Sequence, residues 1–148
     1  MARRVFFSFH YERDIWRANQ VRNSWVTQDR EAAGFFDASL WEEAKKKGDA
    51  AIKKMIDDAL IGTTVTAVLI GSETSTRDYV KYEIARSAER PNGLLGVRIH
   101  RLEDKDGKTD SWGANPLPSG YPVYDWVDHD GYKNFSTWVE KAAKAAGK

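Results

Sequence analysis

The 148-residue chain contains no cysteine. This absence excludes disulfides, thiolate nucleophiles and zinc sites that use sulfur ligands. Charge of one sign is also lacking, because 23 Lys and Arg stand against 22 Asp and Glu and the formal net charge is +1. A nucleic-acid binder or a polybasic membrane sensor needs a strong field of one sign. We therefore expect a cytoplasmic protein with neither nucleic acid nor membrane as a partner.

Long apolar segments are absent as well. The apolar run at 5–9 is followed at once by His10 and Glu12, and it is too short for a signal-peptide core or a membrane span. The three histidines, His10, His100 and His129, have no metal-ligand spacing, so we predict no metal site. What is present is 41% apolar residues, with six each of Trp, Tyr and Phe. This composition predicts one globular domain over residues 1–148.

Short apolar runs alternate with helical patterns along the chain. Runs at 5–9, 65–70 and 94–99 are typical of buried strands, and weaker candidates lie at 34–37 and 122–126. Apolar residues spaced by three and four predict helices between them, including one over 48–60 and one over 79–89 with Ser75 in a capping box. We expect a long loop over 101–120. Alternating elements with doubly buried strands indicate an α/β fold, a flavodoxin-like doubly wound parallel five-stranded sheet of order 2-1-3-4-5.

In such a sheet, ligands bind at the carboxyl ends of the strands where the strand order reverses, here between the first and third strands. The residues expected there offer carboxylates, hydroxyls, an imidazole and aromatic faces, which suit the ribose and base of a nucleotide. Tyr79 and Glu83 lie four positions apart on a predicted helix and therefore share a face. The candidate site residues are Phe9, His10, Tyr11, Asp37, Ser39, Trp41, Ser72, Tyr79 and Glu83.

Several of these residues also have a purely structural interpretation. Glu83 could be a solvated residue paired with Arg86 three positions further on. Asp37 could cap the turn after the second strand, and Trp41 could pack against the helix over 48–60. His10 could be a hydrogen-bonded residue at a strand end. Taken one at a time, the residues leave both interpretations open.

Four ordered motifs resemble those of TIR domains. RVFFSFH at 4–10 is similar to the first strand of that family, FFD at 35–37 to the second strand, and VLIGS at 68–72 to the third. YVKYE at 79–83 falls on the helix motif Trp-x-x-x-Glu, whose Glu is catalytic in TIR enzymes that cleave NAD. Segments 4–11, 36–42 and 123–127 are closer still to the TIR-like ThsB subunits of bacterial Thoeris anti-phage systems. The resemblance spans essentially the whole chain.

The resemblance implies an enzyme that converts NAD into nicotinamide and a cyclic ADP-ribose isomer, with NAD as substrate and no cofactor. Glu83 would stabilise an oxocarbenium-like transition state. Phe9, Tyr11, Trp41 and Tyr79 would fold the substrate so that its adenosine end attacks the anomeric carbon. The partners implied are a separate effector that the nucleotide activates, a phage-derived trigger and a second copy of the chain.

Two positions depart from the TIR pattern. Tyr79 replaces the usual Trp and keeps an aromatic wall, whereas His10 stands where many TIR domains have Arg and so removes a permanent cation from the substrate's surroundings. Two further functions fit the same fold. One is a non-catalytic TIR adaptor that acts by protein association, and the other is a nucleoside N-glycosidase of the deoxyribosyltransferase type. The fold alone does not separate these functions.

Overall fold

A computed structural model describes residues 3–26, 31–36 and 38–148. Over these ranges the chain forms a five-stranded sheet. Every strand pair is parallel and the order is β2-β1-β3-β4-β5, which confirms the predicted flavodoxin-like topology. The strands are β1 (Arg4–Ser8), β2 (Glu31–Ala33), β3 (Val65–Ile70), β4 (Gly93–Arg98) and β5 (Val123–Asp125).

Helices cover both faces of this sheet. They are α1 (Tyr11–Val26), α2 (Ala38–Lys47), α3 (Asp49–Leu60), α4 (Asp78–Glu89) and α5 (Gly131–Ala145). Because side chains alternate along β1, Phe7 faces the core shared with α1 and α5, whereas Phe6 faces the core shared with α2 and α3. Within the described ranges, no helix has the length and apolar character needed to cross a membrane.

The second strand differs from its prediction at 34–37, which is wrong. β2 ends at Ala33, and Gly34 has a φ of +92°. A Cβ on Gly34 would stand 2.4 Å from the Phe7 carbonyl oxygen, so only glycine fits the close approach to β1. The left-handed backbone at Gly34 turns the chain out of the strand. The candidate residue Asp37 lies outside the described residues.

Between β2 and β3 the structure has two helices where the sequence pattern predicts one. α2 ends at Lys47, and Gly48, with a φ of +108°, lets the chain turn directly into α3. The helix predicted over 48–60 is therefore the second of the pair. α2 brings Trp41 and Ala44 into the core beneath it.

The predicted capping box before α4 is also wrong. Ser75 lies in a separate 3₁₀ turn, Thr74–Thr76. The Thr74 hydroxyl accepts the Gly71 N–H at 2.7 Å and so folds the chain back at the end of β3 before the helix begins. Arg77 has extended backbone and is the N-cap residue of α4, with no side-chain cap hydrogen bond.

The predicted loop over 101–120 is confirmed, since residues 99–122 contain no helix or strand. Arg17 on α1 ties this loop to the body of the protein. Its guanidinium donates to the carbonyl oxygens of Leu102 at 2.8 Å and Lys108 at 2.9 Å.

Candidate active site

A narrow cavity lies at the carboxyl edge of β1, next to the point where the strand order reverses. Its volume is about 20 Å³, which is room for about one water molecule. A larger hollow of about 200 Å³ adjoins it, and the two share Trp41, Arg77 and Tyr79 in their walls. The narrow cavity is lined by Phe7, Phe9, Tyr11, Gly34, Phe36, Trp41, Arg77, Tyr79, Val80 and Glu83.

Glu83 is the carboxyl group of this cavity. It projects from α4 and is only 6% exposed. The Ser8 hydroxyl, at the end of β1, donates to Glu83 Oε1 at 2.7 Å. Burial raises the pKa of Glu83 to about 8, and the hydrogen bond from Ser8 only partly opposes that rise. At neutral pH, Glu83 is therefore mostly protonated.

The structural alternative for Glu83, a solvated residue paired with Arg86, is not what the structure shows. Arg86 instead donates to Asp57 at 3.0 Å and to Glu89 at 2.6 Å. Glu83 faces the sheet while Arg86 faces solvent and α3, although both lie on the same helix.

Aromatic rings form the wall opposite Glu83. Tyr11 stacks on Trp41 with ring centroids 4.8 Å apart, and Tyr79 meets Trp41 edge to face at 6.2 Å. The Tyr11 hydroxyl donates to the Phe36 carbonyl at 2.7 Å, which fixes its ring. Phe9 also stacks on Tyr11, with ring centroids 6.1 Å apart. These faces suit a planar base or a sugar.

Trp41 packs as its structural interpretation expects, and its substrate-binding role stays a prediction. It packs in the core with Ile52 and Ile56 of α3, and it also lines both cavities. It is 5% exposed, and its Nε1–H has no hydrogen-bond partner among the described residues. A buried donor without a partner costs free energy, and a ligand that accepts a hydrogen bond would recover it.

The other candidate residues lie apart from the narrow cavity. His10 is buried, and its Nδ1 accepts the Arg13 backbone N–H at 3.2 Å, as its structural interpretation expects. Burial and the nearby Arg77 guanidinium lower the pKa of His10. Ser72 donates to Asp110 at 2.9 Å in an ionic cluster, and Ser39 is exposed on the first turn of α2.

Two residues of the site escape the sequence argument. Ser8 was not a candidate, although strand alternation places it on the face of Phe6, where a lone hydroxyl in an apolar run is a detectable signal. Arg77 is the cation lining the Glu83 cavity, and it is half-buried at the start of α4. The sequence places Arg77 inside the expected capping box, which conceals its role.

The arrangement combines a buried carboxyl whose pKa lies near neutrality with aromatic faces and one nearby cation. Such a group can stabilise positive charge that develops beside it, because the low-dielectric surroundings strengthen the interaction. Among the described residues, no group of three or more potential metal ligands lies together. The buried carboxyl, the aromatic rings and the guanidinium are residue types that suit a ribose or a base as ligand.

The sheet order, together with a carboxyl at the carboxyl edge of β1, defines a TIR-like α/β domain. The family described as "Thoeris protein ThsB, TIR-like domain" matches residues 6–104. The chain is also similar to "Putative cyclic ADP-D-ribose synthase ThsB1" of Bacillus cereus (strain MSX-D12), at 41% identity in an alignment that covers 94% of this chain and 100% of the relative. The chain belongs to the Thoeris ThsB TIR-like family.

Proposed function

We propose that the chain cleaves NAD at the bond between nicotinamide and ribose and closes the ADP-ribosyl group on itself, giving a cyclic ADP-ribose isomer. The observation that carries this proposal is Glu83, a buried carboxyl that lines a cavity with stacked aromatic walls. The name of the Bacillus cereus relative, a cyclic ADP-D-ribose synthase, supports the same reaction.

The reaction asks for charge stabilisation more than for acid catalysis. The bond from the ribose anomeric carbon to the nicotinamide nitrogen breaks, and its electron pair neutralises the nicotinamide cation, so the leaving group needs no proton. Positive charge then develops on the ribose, as in glycoside hydrolysis. A nucleophile at the adenosine end of the same molecule forms the new bond to the anomeric carbon, and one proton is released overall.

Glu83 would act in its carboxylate form. Its pKa of about 8 reflects burial, which the hydrogen bond from Ser8 only partly opposes. The nicotinamide-ribosyl cation, once bound, would favour the ionised carboxyl and lower that pKa. The ionised group would then face the developing charge across a short distance with little water between them. Phe9, Tyr11, Trp41 and Tyr79 would hold the substrate in a folded conformation and keep water from the anomeric carbon.

The family supports a wider setting for this reaction. We propose that the cyclic product passes to a separate effector protein, that infection supplies the trigger and that the exchange takes place in the cytoplasm. Ser39, Ser72 and His10 would then lie on the rim of the substrate site, and NAD would be a substrate with no further cofactor.

The test measures nicotinamide release and product mass from NAD, with and without a small-molecule extract of phage-infected cells. We expect the wild-type protein to release nicotinamide and a product one water lighter than ADP-ribose. Glu83→Gln should lower the rate about 100-fold or more, since it removes the charge while keeping an acceptor for Ser8. Glu89→Gln, an exposed change on the same helix, is the matched control and should keep the wild-type rate.

Four results would contradict the proposal, each in its own way. Glu83→Gln turning over NAD at the wild-type rate would remove Glu83 from the chemistry. ADP-ribose as the sole product would mean hydrolysis rather than cyclisation. Cleavage of nucleosides in place of NAD would favour the N-glycosidase, and self-association without turnover under either condition would favour the adaptor.

A further inference from the structure

The hollow next to the Glu83 cavity has the properties of a second half-site. Its volume is about 200 Å³, ten times that of the narrow cavity, and Trp41 and Tyr79 lie in the walls of both. Besides these shared residues, its walls contain Glu12, Lys45, Asp49 and Ile52. A dinucleotide has two nucleosides joined by a diphosphate, so a site that takes one end at Glu83 needs room beyond it for the other.

We propose that Arg77 binds the diphosphate of the substrate at the junction of the two cavities, and that the larger hollow takes the nucleoside beyond it. This inference rests on the proposed function only in that NAD supplies the diphosphate. The chemical class that the subsite recognises is a nucleoside diphosphate, whatever group is attached to its terminal phosphate.

The charges around the hollow leave Arg77 available to an anion. Glu12 accepts from Lys45 at 3.2 Å, so its charge is already balanced. Asp49 pairs with Lys53 at 3.0 Å and accepts from the Tyr79 hydroxyl at 3.0 Å. The carboxylate nearest Arg77 among the described residues is Glu12, and its oxygen lies 4.0 Å from the guanidinium. This separation is at the outer limit of an ion pair, and no hydrogen bond joins the guanidinium of Arg77 to another residue in the part of the chain that the structure describes.

The start of α4 strengthens the case. Arg77 is its N-cap residue and makes no side-chain cap hydrogen bond, so the N–H groups of the first turn have no side-chain acceptor there. The same turn supplies Tyr79 and Val80 to the cavity wall. Phosphate oxygens are favourable ligands for a helix N-terminus, and a guanidinium can bind them through two parallel hydrogen bonds.

Trp41 supplies an independent observation at the same junction. It lines both cavities and is only 5% exposed. Its Nε1–H has no hydrogen-bond partner among the described residues. A substrate oxygen at the junction would satisfy this donor. Arg77 also lies close enough to His10 to lower the pKa of that imidazole, so its positive charge acts on this edge of the sheet.

The experiment measures binding as well as turnover, with ADP-ribose and ADP as probes in calorimetry. The wild-type protein should bind both, and Arg77→Gln should weaken both about tenfold or more, through loss of a charge-assisted hydrogen-bonded pair. The affinity of Arg77→Lys should lie between those of the wild type and Arg77→Gln, because lysine keeps the positive charge but lacks the paired N–H donors of the guanidinium. Arg90→Gln removes the same charge from the exposed C-terminal end of α4 and should bind like the wild type.

Turnover separates this subsite from the proposed function. With NAD, Arg77→Gln should raise KM more than it lowers kcat, whereas cleavage of nicotinamide riboside, which has no phosphate, should be nearly unaffected. Arg77-dependent ADP-ribose binding in a protein that never cleaves NAD would uphold the subsite and contradict the proposed function. Wild-type protein that does not bind ADP-ribose, or Arg77→Gln that binds it equally well, would overturn the subsite whether or not NAD is cleaved.

Discussion

At the scale of single residues, the cavity depends on how burial and one hydrogen bond act on Glu83. Its carboxyl has lost nearly all contact with water, and within the described ranges Ser8 is the residue that donates to it. Desolvation raises the pKa of Glu83 more than that hydrogen bond lowers it. In the folded protein the pKa is therefore about 8, against an ordinary value of 4.5. A pKa that differs between the folded and unfolded chain makes stability depend on pH.

The direction of that dependence is fixed. Below pH 4.5 both states keep the proton, and Glu83 contributes its full stability. Between pH 4.5 and 8 the unfolded chain releases the proton while the folded chain keeps it, so stability falls with rising pH. Glu83→Gln removes this titration. From pH 4.5 to pH 8.5 we therefore expect the variant to gain roughly 3 to 5 kcal/mol in free energy of unfolding relative to the wild type.

Urea unfolding of both proteins at several pH values between 4.5 and 8.5 measures this difference. Glu89→Gln is the control, because Glu89 is exposed on the same helix. Its difference from the wild type should not follow the same pH course. A constant offset between Glu83→Gln and the wild type across the range would mean that Glu83 titrates normally in the folded protein.

At the scale of elements, the strong apolar runs predict their strands, whereas of the two weak candidates the one at 122–126 contains β5 and the one at 34–37 is wrong. β1 and β3 are buried on both faces, and their hydrophobic runs identify them directly. β2 is a three-residue edge strand, Glu31–Ala33, with no such run. α2 buries little besides Trp41 and Ala44, so its helical period was missed.

The site shows the same division. Its location at the carboxyl edge follows from strand order, and the spacing of Tyr79 and Glu83 follows from helix geometry. The bond from Ser8 to Glu83 joins residues 75 positions apart, and no local pattern encodes it. The sequence pattern also does not identify Arg77, because its position as the N-cap residue depends on the 3₁₀ turn that precedes α4.

The end of β2 provides an element-scale prediction. Gly34→Ala should destabilise the fold by roughly 2 to 4 kcal/mol, because the new Cβ would meet the Phe7 carbonyl oxygen and the backbone is left-handed. Gly107→Ala is the matched control, since Gly107 also has positive φ, +74°, but open space around it. It should cost only about 1 kcal/mol. Urea midpoints measure both, and equal losses would show that the contact with β1 contributes nothing.

At the scale of the whole molecule, one ionic cluster joins α1, the end of β3 and the loop over residues 99–122. Arg17 holds the loop through two carbonyl oxygens and approaches the fully buried Asp14 at 3.2 Å. From the same loop, Asp110 accepts from Ser72, just beyond β3, at 2.9 Å and from Arg13 at 2.8 Å. The cluster thus braces the carboxyl edge of the sheet, where the candidate site lies.

Removing Arg17 should therefore loosen both the fold and the loop. Burial already raises the pKa of Asp14 against the influence of Arg17, and Asp14 Oδ2 has no hydrogen-bond partner among the described residues. Arg17→Met would leave that carboxyl unpaired and should cost roughly 3 to 5 kcal/mol. Limited proteolysis should then cut within 99–122 faster than in the wild type.

Two further variants decide whether the lost pairing is the cause. Arg101 lies in the same loop and forms an exposed ion pair with Asp128, which follows β5. Arg101→Met breaks this pair and should lower the free energy of unfolding by less than about 1 kcal/mol. Adding Asp14→Leu to Arg17→Met removes the stranded carboxyl and should recover part of the lost unfolding free energy while the loop stays susceptible, because its carbonyl oxygens still lack Arg17. If the double variant is no more stable than Arg17→Met, packing of the Arg17 side chain rather than its charge holds this edge of the molecule together.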